Sequence, residues 1–104
     1  MNALDPASAL EKLSVEYRDR VAAIRHDLGR SHSPDFAEQA TERQNDEVLE
    51  ALLAESEGAL RQVERARERL REGTYGHCSK CGEAIGSARL SVMPMAERCL
   101  KCAD

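Results

Sequence analysis

Cys78-Ser79-Lys80-Cys81 and Cys99-Leu100-Lys101-Cys102 hold all four cysteines of the chain, with seventeen residues between the two pairs. A C-x-x-C pair folds into a tight knuckle that aims two thiolates at one metal, and two knuckles complete a tetrahedron. Gly82 directly follows the first pair, where a tight turn would aim backbone N–H groups at sulfur. The spacing therefore predicts a closed four-thiolate zinc site held by Cys78, Cys81, Cys99 and Cys102. Two redox dithiols or two disulfides are the competing reading. It is the weaker one, because nothing marks the chain as secreted and one C-x-x-C would suffice for redox work. His77 abuts the first knuckle, but four thiolates leave no need for a fifth ligand.

Outward from this module, composition argues for a rod. The chain has 104 residues, of which 33% are charged, and its aromatics are Tyr17, Phe36 and Tyr75. That is thin material for a large core. It suits a long exposed helical hairpin with a small module in which zinc replaces missing burial. Leu10, Tyr17 and Ile24 recur at heptad spacing, with Ser14, Val21 and Leu28 in the interleaved seam and Leu13 beside it. A first helix is expected over residues 6–28, with Asp5 as cap, Pro6 in the first turn and Gly29 as a left-handed stop. Residues 29–34 read as a short turn.

A second helix is expected over residues 34–72, a rod of roughly 57 Å at 1.5 Å per residue. Its seam reads Leu49, Leu52, Leu53, Leu60, Val63 and Leu70, with Ala59 and Ala66 between. Pairing the two stripes predicts an all-α fold: a long antiparallel coiled-coil hairpin followed by a small four-cysteine zinc-finger module. The expected division is 1–74 for the hairpin, with its tip at 29–36, and 75–104 for the module. Glu42, Asp46, Glu47, Glu50, Glu55 and Glu57 make the outer half of helix two acidic. Arg61, Arg65, Arg67, Arg69 and Arg71 make the inner half basic. Pairs such as Glu57–Arg61 and Glu64–Arg67 would account for many of these charges. In the module, residues 85–90 suit a short helical turn, Pro94 an extended approach to the second knuckle, and Leu90, Val92 and Met95 a small core over the metal.

Several functions are disfavoured. Net charge is −4, and residues 77–104 carry four basic and three acidic groups, so free nucleic acid, which needs a concentrated basic face, is not expected as the primary partner. No apolar run approaches the roughly 20 residues of a membrane span, and the N-terminus has no signal pattern. The expectation is a cytoplasmic, reduced protein. No P-loop, dinucleotide fingerprint or Ser/His/Asp pattern appears, and His26 and His32 are isolated. A closed four-cysteine zinc offers no open position for hydrolysis, so no enzyme is expected.

The stretch Tyr75-Gly76-His77-Cys78-Ser79-Lys80-Cys81-Gly82-Glu83, with Ile85-Gly86, Arg89-Leu90, Pro94, Ala96 and Cys99-Leu100-Lys101-Cys102, resembles the DksA/TraR-type transcription factors of bacteria. With the hairpin ahead of it, the resemblance covers residues 7–102. It implies a monomer that binds RNA polymerase. The coiled-coil tip would enter the secondary channel toward the active-site magnesium and modulate initiation, without sequence-specific DNA contact. The family's tip pattern, Asp-x-x-Asp-x-Ala, falls on Asp35-Phe36-Ala37-Glu38-Gln39-Ala40. Asp35 and Ala40 match, and Glu38 replaces the second aspartate. Asp35 and Glu38 also stand at capping-box spacing, which would explain both without function. The resemblance further places the family's ppGpp-binding positions at Gln62, Met93 and Ala103, none of them basic, so a ppGpp response is not expected. The resemblance is to a short member of the family, one without the long N-terminal extension and C-terminal helix expected of full-length members. The other readings are a structural or protein-interaction zinc module with an inactive tip, or a thiol redox sensor that releases zinc on oxidation.

Overall fold

The computed structural model describes residues 5–30 and 34–103. Residues 1–4, residues 31–33 of the expected turn with His32 among them, and residue 104 lie outside the described residues.

Helix α1 spans Pro6–Leu28. Pro6 opens it, as its fixed φ suits, but Asp5 makes no side-chain capping bond. Gly29 closes it in a right-handed conformation, φ −82°, rather than the left-handed one expected. Its N–H reaches Arg25 O at 3.0 Å and His26 O at 3.1 Å, so the last carbonyls are satisfied without a reversal of φ.

Helix α2 spans Phe36–Glu72. It begins two residues later than Pro34, because Asp35 takes an extended backbone and serves as the N-cap. Gly73 ends it at φ 83°, a left-handed stop that any side chain would strain. The rod sets the long dimension of the molecule, 57 Å.

The helices run antiparallel. Ser14 bonds Glu64 and Arg25 bonds Glu57, so position falls along α2 as it rises along α1. Leu10, Val63 and Ala66 form the buried cluster at the base, with Leu13, Tyr17, Leu70, Tyr75 and Met95 packed against it. Ile24 is buried further along. Burying side chains of this size contributes about 1.5–3 kcal/mol each.

Two seam positions depart from expectation. Leu52 is 43% exposed, and Ser56 is buried in the stripe instead. The register also leaves a single-helix end. With Ser14 opposite Glu64, Leu28 falls level with about residue 50, so α2 runs on roughly 20 Å past the end of α1. Pairing therefore covers the leucine-rich inner part of α2. The acidic outer part is the part that α1 leaves uncovered.

The third helix, α3, spans Ser87–Val92 between the knuckles. Its module is tied to the rod by several bonds. Arg65 bonds Glu97 at 2.7 Å, the Tyr75 hydroxyl donates to Pro94 O at 2.9 Å, and Arg69 donates to His77 O. No described helix is long and apolar enough to cross a membrane.

Candidate metal centre and tip

The first knuckle forms because residue types and backbone agree. Gly82 sits at φ 80°, and its N–H bonds Cys78 O at 2.9 Å, closing the turn around Cys81. Cys78 N–H bonds Glu83 O at 2.7 Å, and the Lys80 N–H points at Cys78 Sγ at 3.4 Å. The second knuckle repeats the turn: Cys102 and Ala103 N–H both reach Cys99 O, at 3.1 and 2.9 Å. Ser79 N–H to Glu97 O at 2.8 Å joins the two.

All four Sγ atoms lie within 4.8 Å of one another, and no disulfide links them. Cys81 Sγ and Cys99 Sγ are 3.8 Å apart. A tetrahedron with Zn–S near 2.3 Å needs sulfur separations of about 3.8 Å, so the cluster fits zinc. The thiols are unlike one another. Burial pushes Cys78 up, but the N–H groups of Cys81, Cys99 and Lys80 outweigh it and bring the thiol down to about 5. The Cys102 N–H lowers Cys99 against burial. Burial and then its three thiol neighbours push Cys102 up to about 12. Cys81 also rises, burial and neighbouring thiols overcoming the Glu83 N–H. Only a cation among them lets all four stay ionised at this spacing.

The small core over this site is Ile85 and Ala96 with Cys78 and Cys99, and Leu90 packs against it. Val92 and Met95 do not join it. Val92 is 79% exposed, and Met95 faces the hairpin cluster. His77 is exposed and stands outside the sulfur cluster.

Gln62, Met93 and Ala103, far apart in sequence, line one cavity of about 320 Å³. Sequence reasoning missed its wall: Arg65, Arg89 and Arg98 also line it. Arg65 holds Glu97, and Arg89 Nε donates to Arg98 O at 2.9 Å.

At the other end of α2, Asp35, Glu38 and Ala40 are exposed. Asp35 Oδ1 accepts from Ala37 N–H at 2.9 Å and Glu38 N–H at 3.1 Å, an N-cap. Glu38 does not complete a capping box. Among the described residues its carboxylate takes no hydrogen bond or ion pair. The residues thus divide: Asp35 caps, and Glu38 presents a charge.

A helical hairpin with a four-cysteine knuckle module at its base defines a zinc-finger class, and the comparisons agree. The sequence model for the prokaryotic dksA/traR C4-type zinc finger matches residues 73–104. That for the DnaK suppressor protein-like N-terminal domain matches residues 7–70. The chain belongs to the DksA/TraR family, whose C4-type finger carries one structural zinc.

Similar proteins include the RNA polymerase-binding transcription factor DksA of Caulobacter vibrioides, 31% identical over 83% of this chain and 59% of that protein. General stress protein 16O of Bacillus subtilis is 33% identical over 64% of this chain and 39% of that protein. The chain thus spans about two fifths to three fifths of the length of these relatives. Among solved structures, DksA2 of Pseudomonas aeruginosa superposes with a TM-score of 0.70 at 27% identity, covering 92% of this chain and 72% of that one. The solution structure of DnaK suppressor protein from Agrobacterium tumefaciens gives 0.65 at 34% identity, covering 98% and 91%.

Proposed function

We propose that this chain is a cytoplasmic, monomeric, non-enzymatic regulator that docks on RNA polymerase and modulates initiation. The rod enters the secondary channel, and the tip residues Asp35, Glu38 and Ala40 act near the catalytic magnesium. Cys78, Cys81, Cys99 and Cys102 hold the zinc. The hairpin of 1–74 is the acting arm and the module of 75–104 its base. There is no sequence-specific DNA contact.

One observation carries the reading: an uncommitted carboxylate, Glu38, at the far end of a 37-residue helix from the metal module. A carboxylate delivered to a magnesium site perturbs its electrostatics without covalent chemistry. The relatives named as RNA polymerase-binding factors support the choice of partner. Asp35 Oδ1 is engaged in capping, so Glu38 bears the larger share of the effect. The test is in vitro transcription with bacterial RNA polymerase, comparing the wild type with Glu38→Gln. The reading expects a binding-competent variant whose effect on transcription is lost. Unaltered regulation would leave the tip as a helix cap.

A further inference from the structure

We infer that Phe36 is an apolar anchor of the tip, seated on binding in an apolar recess of the polymerase beside a cationic or metal-bearing surface. The inference rests on the proposed polymerase-docking reading and adds a residue to it. Phe36 is the chain's one phenylalanine and is 81% exposed. It is the first residue of α2, at the outermost point of the rod. In a chain so poor in core-building side chains, an aromatic placed there contributes nothing to the hairpin core. Single exposed apolar residues are ordinary on protein surfaces. Two local features set this one apart.

The first is preorganisation. Asp35 Oδ1 holds both Ala37 N–H and Glu38 N–H, so the backbone that carries the ring is already fixed in helical form. A ring on a fixed backbone loses little freedom on binding, which is how rigid aromatic anchors gain affinity. The second is the neighbouring charge. The Glu38 carboxylate, two residues on, has no internal partner among the described residues. The outer half of α2 adds Glu42, Asp46, Glu47 and Glu50. A surface that receives the ring therefore also receives an acidic helix end, and charge complementarity makes its rim cationic. The same acidity argues against a second copy of this chain as the occupant, since apposed tips would bring carboxylate to carboxylate.

The ring and the carboxylate divide the work. Burial of the ring supplies affinity and fixes where the tip stops, and the carboxylate supplies the effect. Phe36→Ala should leave folding intact, because the ring has no packing to lose and alanine favours helix. The experiment compares wild type, Phe36→Ala, Phe36→Leu and Glu38→Gln for competition binding to bacterial core RNA polymerase and for transcription. Thermal melting and light scattering accompany each variant. The expected result is a loss of affinity of about tenfold or more for Phe36→Ala, the scale of one desolvated aromatic. Phe36→Leu should retain most of the affinity, and Glu38→Gln should stay binding-competent, losing less affinity than Phe36→Ala, but fail to regulate. Equal affinity of Phe36→Ala and wild type would overturn the anchor while leaving the docking reading intact. A wild-type protein that does not bind polymerase would overturn both. A wild-type dimer that Phe36→Ala converts to monomer would overturn the inference in favour of self-association.

Discussion

The Ser14 hydroxyl donates a 2.6 Å hydrogen bond to Glu64 Oε2 across the interhelical seam, at a position where a coiled coil ordinarily places an apolar side chain. Ser14 is 1% exposed. Arg67 Nη1 donates to the same hydroxyl at 3.2 Å and contacts both Glu64 oxygens at 3.4 Å, and Arg18 approaches Glu64 at 3.4 Å. A polar layer of this kind is satisfied in one register and unsatisfied when a helix slides by a turn. Here that register sets how far α2 projects beyond α1.

Removing one member of the layer tests this. Ser14→Ala should lower stability by about 1 kcal/mol, and a double-mutant cycle with Glu64→Gln should show coupling. The bond from Ser14 is the main cause that holds the Glu64 carboxyl below its ordinary 4.5, and Arg67 and Arg18 reinforce it against burial. A lowered folded pKa stabilises above the unfolded value and is lost as pH falls through the folded one. The melting-temperature gap between wild type and Glu64→Gln should therefore be full at pH 7 and shrink below about pH 4.5. A gap that does not change with pH would refute the role of the charge.

The metal prediction concerns Cys81→Ser. One zinc per chain is expected in freshly purified, reduced protein. The variant should lose it together with the order of the C-terminal module. Most of the helical signal should survive, since the Leu10, Val63 and Ala66 seam needs no metal. Tyr75 and Met95 pack on that seam from the module side, so the melting temperature should fall as well. Metal analysis and circular dichroism decide it, and absence of zinc in the wild type would refute the site.

A charge in the seam should be worse than loss of the metal. Ile24 is buried, and Ile24→Asp would place an unpaired carboxylate among apolar neighbours, costing about 3 kcal/mol or more. Leu53→Asp should follow with a smaller loss, because Leu53 is only half-buried. Unchanged helicity and melting in both would show the pairing to be wrong.

The tip double variant Asp35→Asn with Glu38→Gln separates cap from charge. Asn caps about as well as Asp, so the Ala37 and Glu38 N–H groups keep an acceptor. The variant should fold and bind polymerase but lose its effect in transcription. Glu38→Asp, which shortens the side chain by one methylene and restores the aspartate of the family's tip pattern, should strengthen the effect; an unchanged effect would show that the site of action accepts either carboxylate.

The ppGpp prediction is negative. Gln62, Met93 and Ala103 supply no cation, and Arg65 and Arg89 on the same cavity wall are engaged with Glu97 and Arg98 O. Transcription assays with and without ppGpp should agree. Dependence on it that Arg65→Ala or Arg98→Ala abolishes would show that the arginines lining the cavity serve where Gln62, Met93 and Ala103 offer no charge.

The sequence by itself determined the metal cluster, the two long helices and most of the seam. Each depends on spacing along the chain: thiols three apart form a knuckle, and residues three and four apart share a helix face. Leu10, Ser14, Ile24 and Val63 could be placed inside for that reason. What only the tertiary structure decided depends on residues distant in sequence. Helical period says which face Leu52 or Ser56 occupies, but not how far the partner helix rotates toward it. Met95 and Val92 are equally apolar in sequence; docking of the module on the rod buries Met95 against Leu10 and Val63 and leaves Val92 outside. The pairing of Glu57 with Arg25 rather than Arg61, and the gathering of three arginines around Gln62, Met93 and Ala103, likewise need the folded chain. At the tip, capping-box spacing allowed two carboxylates to act as caps. Backbone geometry gave that work to Asp35 alone and left Glu38 facing outward.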